Sequence, residues 1–423
     1  MSLLSPAQQG TPGPMATTPT QVLDTEAAVL RMDQVLRFAS ARGVSDVHFK
    51  AGQRPLYRRF GVLSSRRDEP VLTDDELVKV TVHWLPAEHR GTLQNTGEAR
   101  FCIGLVGCGR FRVTLVRHRG GLSMTIRPLP GRVLSPRELG LPKVLQSWSA
   151  LPSGLVIVAS PPGGGRTWTL AALLEQINTA APAPRTVVTL EQPVELMLDD
   201  KAALVRHREI GPDVPDVRSG IASALRSDTD VIAVADPPLD SLPVLISAAE
   251  QGRLVLVSVA APGVVTALQR LLEAGPIADA QALRLRFLRH WRGAVSTAML
   301  PNAEGKGVVA AAEVAVPTRG TVEAIRAGDW DGMQIHLEQP QGRQLGLQSL
   351  DSHILELAQS GAITMEVALA ACRDPDALRG KLTGVRTRPV GHTGFPTGQM
   401  PAIGASGVYV PVPPPSLPGR DGH

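Results

Sequence analysis

Three consecutive glycines, Gly163 to Gly165, followed by Arg166 and Thr167, are the residues of this sequence best suited to phosphate chemistry. Glycines let the backbone turn so that neighbouring N–H groups converge on phosphate oxygens, and a helix that starts there adds the favourable end of its dipole. A basic residue supplies charge, and a hydroxyl can ligate Mg²⁺. Ahead of the glycines, Leu155-Val-Ile-Val-Ala159 reads as a buried parallel strand, and behind them Leu170 to Leu174 continue with helical spacing. Strand, glycine loop, base, hydroxyl and helix form the layout G-x-x-x-x-G-K-[ST] of a P-loop. Two positions depart from it: Ser160 stands at the first glycine and Arg166 at the lysine. Arginine keeps the charge but is longer, planar and forked. On its residues alone, the loop is either a phosphate cradle or an ordinary strand-to-helix turn that binds nothing.

Further groups with chemistry lie at strand ends. Arg185 to Leu190 reads as a strand running into Glu191-Gln-Pro-Val-Glu195, and Asp230 to Ala235 as a buried strand ending on Asp236. Carboxylates there can act as bases if they reach a water at hydrogen-bond range. Arg112, Arg117 and Arg119 fall on a strand-like stretch. Their forks suit phosphate, though arginines on a strand equally describe a solvated face.

The elements around these groups are those of a soluble protein with two cores. The chain has 423 residues, 43% hydrophobic and 19% charged, enough to bury two domains. A formal charge of +4 without a dense Lys/Arg block argues against nucleic acid as a partner. Three cysteines cannot all pair, and Cys102 and Cys108 lack a second Cys/His cluster for zinc, so idle thiols in a reducing cytosol are expected. No run approaches 18 apolar residues, which places the protein in the cytoplasm with any membrane role through a partner.

Along the chain, residues 1–25 are a Pro/Thr/Ser-rich leader expected to be disordered. Residues 26–130 are expected to form an α+β domain, with a helix from Glu26, strands near Val47 and Phe49, one long helix from Leu72 to Leu93, and antiparallel strands through Arg127. Four prolines break a linker at 131–150 and just before it. From 151 to 382, strands and helices alternate as in a mostly parallel sheet covered on both faces, ending in helices. Residues 383–423 are a Pro/Gly-rich tail expected to be disordered, with linker rather than recognition the expected role.

Ordered motifs resemble a known family. Val44-Ser-Asp-Val-His48, Gly109-Arg-Phe-Arg-Val-Thr114, Gly154-Leu-Val-Ile-Val158, Thr189-Leu-Glu-Gln-Pro-Val-Glu195, Ser223 to Val231, Ala248-Ala-Glu-Gln-Gly252 and Leu300 to Gly307 together resemble the type II/IV secretion ATPases, nearest the pilus retraction ATPases of the PilT/PilU kind. The resemblance spans about residues 30–382. It implies a PAS-like α+β N-terminal domain followed by a RecA-like P-loop NTPase domain with a C-terminal helical portion. It also implies a hexamer, with itself or with pilus ATPase paralogues, beside the pilus inner-membrane platform protein. ATP and Mg²⁺ would sit between the domains on Gly163, Gly164, Gly165, Arg166 and Thr167, with Thr167 on the metal. Arg112, Arg117 and Arg119 match family arginines that reach the phosphates, and Glu191, Glu195 and Asp236 match the catalytic carboxylates.

The chain departs from the family pattern in four places. Arg166 replaces the lysine, Gln192 an aspartate, Asp236 a glutamate, and Ala260 the histidine of the histidine box. Pro237-Pro238 follows Asp236 where the family has Met-Arg-Asp, and should re-aim the strand end. Removing one interaction made to a transition state costs about 3 kcal/mol, although such costs do not add within one site. The expected function is a weakly nucleotide-binding pseudo-ATPase in twitching motility or pilus-base assembly. The competing expectation is an active retraction motor in which Arg166 and Asp236 substitute adequately.

Overall fold

A computed structural model describes residues 19–59, 62–180, 183–275, 280–305 and 307–383, with two short paired strands at 403–404 and 408–409. Residues 1–18 of the leader and most of the tail fall outside it.

The N-terminal part is built on alternation. Helix α1 (Pro19–Ala41) is followed by β1 (Asp46–Lys50), β2 (Leu56–Arg59), β3 (Val62–Ser65), α2 (Asp74–Trp84), α3 (Ala87–Thr96), β4 (Glu98–Leu105), β5 (Gly109–His118) and β6 (Gly121–Pro128). The strands form one antiparallel sheet in the order β3-β2-β1-β6-β5-β4. Val47, Phe49, Phe111, Val113, Leu115 and Ile126 turn inward beneath the helices and are at most 1% exposed. The opposite face is polar, because successive side chains in a strand alternate.

Two boundaries differ from the sequence reading. The first helix begins at Pro19 rather than Glu26. The long helix expected from Leu72 to Leu93 is two helices, since Pro86 has no N–H to continue the first. The acidic first turn does start α2: Thr73 Oγ1 accepts from the Glu76 N–H at 3.1 Å, and Glu76 Oε2 accepts from the Thr73 N–H at 2.8 Å. That reciprocal pair is a capping box.

The connection to the second sheet is not loose. Leu134, Leu139, Leu141 and Leu145 are buried, and α4 (Val144–Trp148) seats Trp148 against Gly293 of the second sheet. A Cβ on Gly293 would lie 2.4 Å from the Trp148 ring, so only glycine permits this approach.

The second sheet runs through β7 (Gly154–Ser160), β8 (Thr186–Glu191), β9 (Leu204–Glu209), β10 (Val231–Ala235), β11 (Leu254–Ala260), β12 (Trp291–Pro301) and β13 (Val308–Ala315). Its order is β13-β12-β7-β11-β10-β8-β9, parallel except for β13. The intervening helices are α5 (Arg166–Ala180), α6 (Val217–Arg226), α7 (Leu242–Glu250), α8 (Val264–Glu273) and α9 (Ala280–His290). They cover both faces with separate apolar clusters. Helices α10 (Arg319–Ala327) and α11 (Trp330–Glu338), to which the sequence reading assigned nothing, precede α12 (Leu350–Gln359), α13 (Met365–Ala371) and α14 (Pro375–Thr383). The last three pack together on β13.

This topology fixes the place of the chemistry. In open parallel sheets, ligands bind outside the carboxyl ends of the strands. Ser160, Glu191, Asp236 and Ala260 end, or directly follow, the four neighbouring strands β7, β8, β10 and β11.

Candidate functional site

Every residue of β7 is buried, so the chain leaves the sheet centre abruptly at Ser160 and must turn to begin α5. Gly163 and Gly165 take positive φ of 78° and 95° to make that turn. Gly164 is pinned from the side: a Cβ there would meet the Thr297 carbonyl at 2.8 Å, and Thr297 Oγ1 donates to the Gly164 carbonyl at 2.7 Å. Thr297 is buried on β12, and sequence reasoning missed it because 133 residues separate the partners.

The two departures from the P-loop pattern have specific consequences. Ser160 Oγ donates to the Pro161 carbonyl at 3.0 Å and accepts the Arg166 N–H at 3.2 Å. A backbone donor at the head of α5, of the kind a P-loop aims at phosphate, is therefore already engaged. The Arg166 side chain turns onto Asp236, with Nη2 at 2.6 Å and Nε at 3.0 Å from Oδ2. The substituted base of the loop and the substituted acid of β10 thus satisfy each other.

Asp236 is placed by strain as well as by charge. Its φ is +49°, a left-handed conformation costing a non-glycine residue about 1 kcal/mol, and Pro237 follows it. Its N–H donates to the Ser258 carbonyl at 3.0 Å and to Ser258 Oγ at 3.2 Å. The left-handed backbone at Asp236, immediately before Pro237-Pro238, accompanies the contact of its carboxylate with Arg166.

The other carboxylates are held too. Glu195 lies beyond the cis Gln192–Pro193 bond and pairs with Arg112 at 2.5 Å across the two domains. Arg110 donates to the Val194 carbonyl at 2.8 Å beside it. Glu191 is buried at the end of β8, its Oε1 3.4 Å from His207 Nδ1. His207 Nε2 accepts the Leu198 N–H at 3.0 Å, which places the ring proton on Nδ1, facing Thr189 and Glu191. His207 stands on β9, a strand the sequence reading did not assign.

Two cavities meet at Thr167 and Glu195. The first, about 500 Å³, lies over the glycine loop and holds Arg112, Arg127 and Arg166 with one acid, Glu195. The second, about 310 Å³, holds Glu191, Glu195, Asp216 and Asp236 with Arg100 as its cation among the described residues. The site is therefore split by charge, and the Arg166–Asp236 and Arg112–Glu195 pairs tie the halves together. Gly163, Gly165 and Thr167 line the first cavity, and Gln192 lines the second.

Not all expected residues meet there. Arg112 does, but Arg117 and Arg119 line neither cavity and are exposed near the β5–β6 turn. Five residues of strand put Arg117 about 17 Å beyond Arg112, on the opposite face of the sheet. Arg127, which sequence reasoning did not single out, takes their place: it lies directly opposite Arg112 on β6 and is held by Asp46 at 2.8 Å. Ala260 ends β11 beside Ser160 and brings no side-chain donor. Trp168, bulky for its position, is buried in the core under α5. Among the described residues, no group of three or more His, Cys, Asp or Glu could hold a metal ion. A phosphate-bound Mg²⁺ needs only one or two protein oxygens, so the hydroxyl of Thr167 fits that ion where a full cage is missing. Burial pushes the Cys102 thiol up to about 12, in keeping with an idle residue.

Comparison with known proteins shows what the chain is similar to. Residues 111–287 match the type II/IV secretion system protein family model. The type IV pilus retraction ATPase PilT of Pseudomonas aeruginosa is 28% identical over 344 residues, which are 81% of this chain and 98% of that protein. The crystal structure of the pilus retraction motor PilT with bound ADP superposes with a TM-score of 0.71 at 27% identity, covering 82% of this chain and 99% of that one. The chain is similar to the type II/IV secretion ATPases. A twitching motility protein of Neisseria gonorrhoeae is 27% identical over 77% of this chain and 86% of its own length. The chain has the expected architecture, an N-terminal domain joined to a RecA-like ATPase domain. No helix among the described residues is long and apolar enough to cross a membrane.

Proposed function

We propose that this protein is a pilus-motor pseudo-ATPase: it binds nucleotide weakly, turns it over poorly, and acts in twitching motility or pilus-base assembly. The observation that carries the reading is the Arg166–Asp236 pair. In a working site the loop base serves phosphate and the acid serves catalysis, and here each occupies the other.

The remaining parts still suit a nucleotide. The N–H groups of Gly163 and Gly165 and the forks of Arg112 and Arg127 would hold phosphates, while the Gly164 N–H already donates to the Pro161 carbonyl at 2.9 Å; Thr167 would offer its hydroxyl to Mg²⁺. Bound ATP with Mg²⁺ would supply a phosphoanhydride and the charge that these groups recognise. To reach phosphate, Arg112 must leave Glu195 and Arg166 must leave Asp236. Arg166 and Asp236 are 23% and 46% exposed, which limits their pair to about 1 kcal/mol. Nucleotide therefore binds against a modest internal competitor. Glu191, buried and faced by the His207 Nδ1–H, is the one feature that favours slow hydrolysis over none.

By the family resemblance, the chain assembles as a cytoplasmic hexameric ring, alone or with active pilus ATPase paralogues, against the inner-membrane platform protein. The test is co-expression of the tagged full-length chain with an active paralogue from the same cell. Joint elution at the size of a ring is expected, with paralogue ATPase activity per protomer altered by at least about twofold. Separate elution with unchanged activity would count against the assembly role.

A further inference from the structure

The charge split between the two cavities leaves one lining cation unaccounted for. Cavity two carries four carboxylates, and among the described residues Arg100 is the only basic one on its wall. Arg100 projects from the polar face of β4, opposite Thr114, so it comes from the N-terminal domain. Its side chain is half exposed, and its ion pair with Glu98 is long at 3.4 Å. It shares the wall with Thr167 and Glu195, the residues on which the two cavities meet.

The arginines nearer the loop are committed elsewhere. Arg166 is held by Asp236 and Arg112 by Glu195, while Arg127 is held by Asp46. A nucleoside diphosphate needs the glycine loop and the arginines of cavity one. A triphosphate brings further negative charge toward cavity two, where Glu191, Asp216 and Asp236 repel it.

We infer that Arg100 is a specificity-determining residue of this site, supplying the cation that lets a nucleoside triphosphate be accepted alongside the diphosphate. The inference rests on the nucleotide-binding reading above. Its chemistry is the charge-assisted hydrogen bond of a guanidinium to a phosphate oxygen. Glu98 competes for the same guanidinium, through one contact at 3.4 Å that is longer than those holding Arg112, Arg127 and Arg166.

Calorimetric titration of the full-length chain tests this, with Mg²⁺ present and either ADP or a non-hydrolysable ATP analogue as the probe. Arg100→Ala is expected to weaken the analogue about tenfold, roughly one charge-assisted bond, and to leave ADP within about twofold. Arg100→Lys is expected to fall between, and Arg90→Ala, which removes an exposed charge from the neighbouring helix α3, to match wild type. Equal losses for both nucleotides, or no loss for either, would overturn the assignment of Arg100 while leaving nucleotide binding in place. A wild-type chain that binds neither nucleotide would overturn both.

Discussion

ATP hydrolysis by the purified chain is expected to run below about 10⁻² per second, roughly a thousandfold under the median enzyme turnover. Four altered positions lie on or directly after the ends of three adjacent strands and at the head of α5. Arg166 and Asp236 are bound to each other, Gln192 is a neutral amide, and Ala260 has no side-chain donor. Removing one preorganised donor costs about a hundredfold. Residues of one site fail together, so the effects do not simply multiply, and two to four of them still leave at least a thousandfold deficit. Steady-state phosphate release checks this. Turnover near one per second, abolished by Asp236→Ala, would show that the shorter acid works despite Arg166.

The second large effect falls on stability. Glu313 on β13 is 1% exposed; Oε2 accepts the Val264 N–H at 2.7 Å, and Arg373 pairs with Oε1 at 2.9 Å. This pair fastens the C-terminal helices to the start of α8, three residues beyond Ala261 at the strand-end crevice. Arg373→Ala would leave a buried carboxylate without its cation, a loss of about 3 kcal/mol. The loss should depend on pH. Burial pushes the Glu313 carboxyl above its usual range, with Arg373 opposing that shift. A raised carboxyl favours the protonated fold: the contribution is full below the unfolded value of about 4.5 and is lost as pH rises through the folded value. Removing Arg373 raises the folded value further, so the penalty should be largest at pH 7 and smaller at pH 5. Denaturant unfolding at both pH values, with Glu313→Gln as a neutral isostere, measures it. A penalty under about 1 kcal/mol at pH 7, or one equal at both pH values, would contradict the role given to the pair.

What the sequence made legible was local. The glycine loop follows a β-branched run, and Asp236 follows another, so both strand ends could be placed from neighbouring residues. The family motifs carried the two-domain architecture. Long-range consequences were not legible. Nothing in Arg166 or Asp236 alone says that residues 70 apart will meet; the left-handed turn before Pro237 and the adjacency of β7, β11 and β10 decide it. Arg127 and Arg100 enter the site through antiparallel register, which pairs Arg112 with Arg127 and Thr114 with Arg100. Arg117 looked equivalent to Arg112 in sequence, but the strand's length carries it away. Strand β9 was missed because Leu204-Val-Arg-His-Arg-Glu209 lacks an apolar run; it is an edge strand held by backbone pairing to β8. With it went His207, which faces Glu191.

The central claim is that Arg166 and Asp236 satisfy each other where phosphate would bind. Calorimetric titration of ADP into wild type, Asp236→Asn and Arg166→Ala tests it most directly. Asp236→Asn frees the guanidinium from a pair limited to about 1 kcal/mol, so ADP is expected to bind about fivefold more tightly than to wild type. Arg166→Ala leaves the carboxylate unpaired beside the loop, so ADP is expected to bind more weakly. Equal or weaker binding by Asp236→Asn would mean that the acid does not compete with phosphate for Arg166, and would contradict the account.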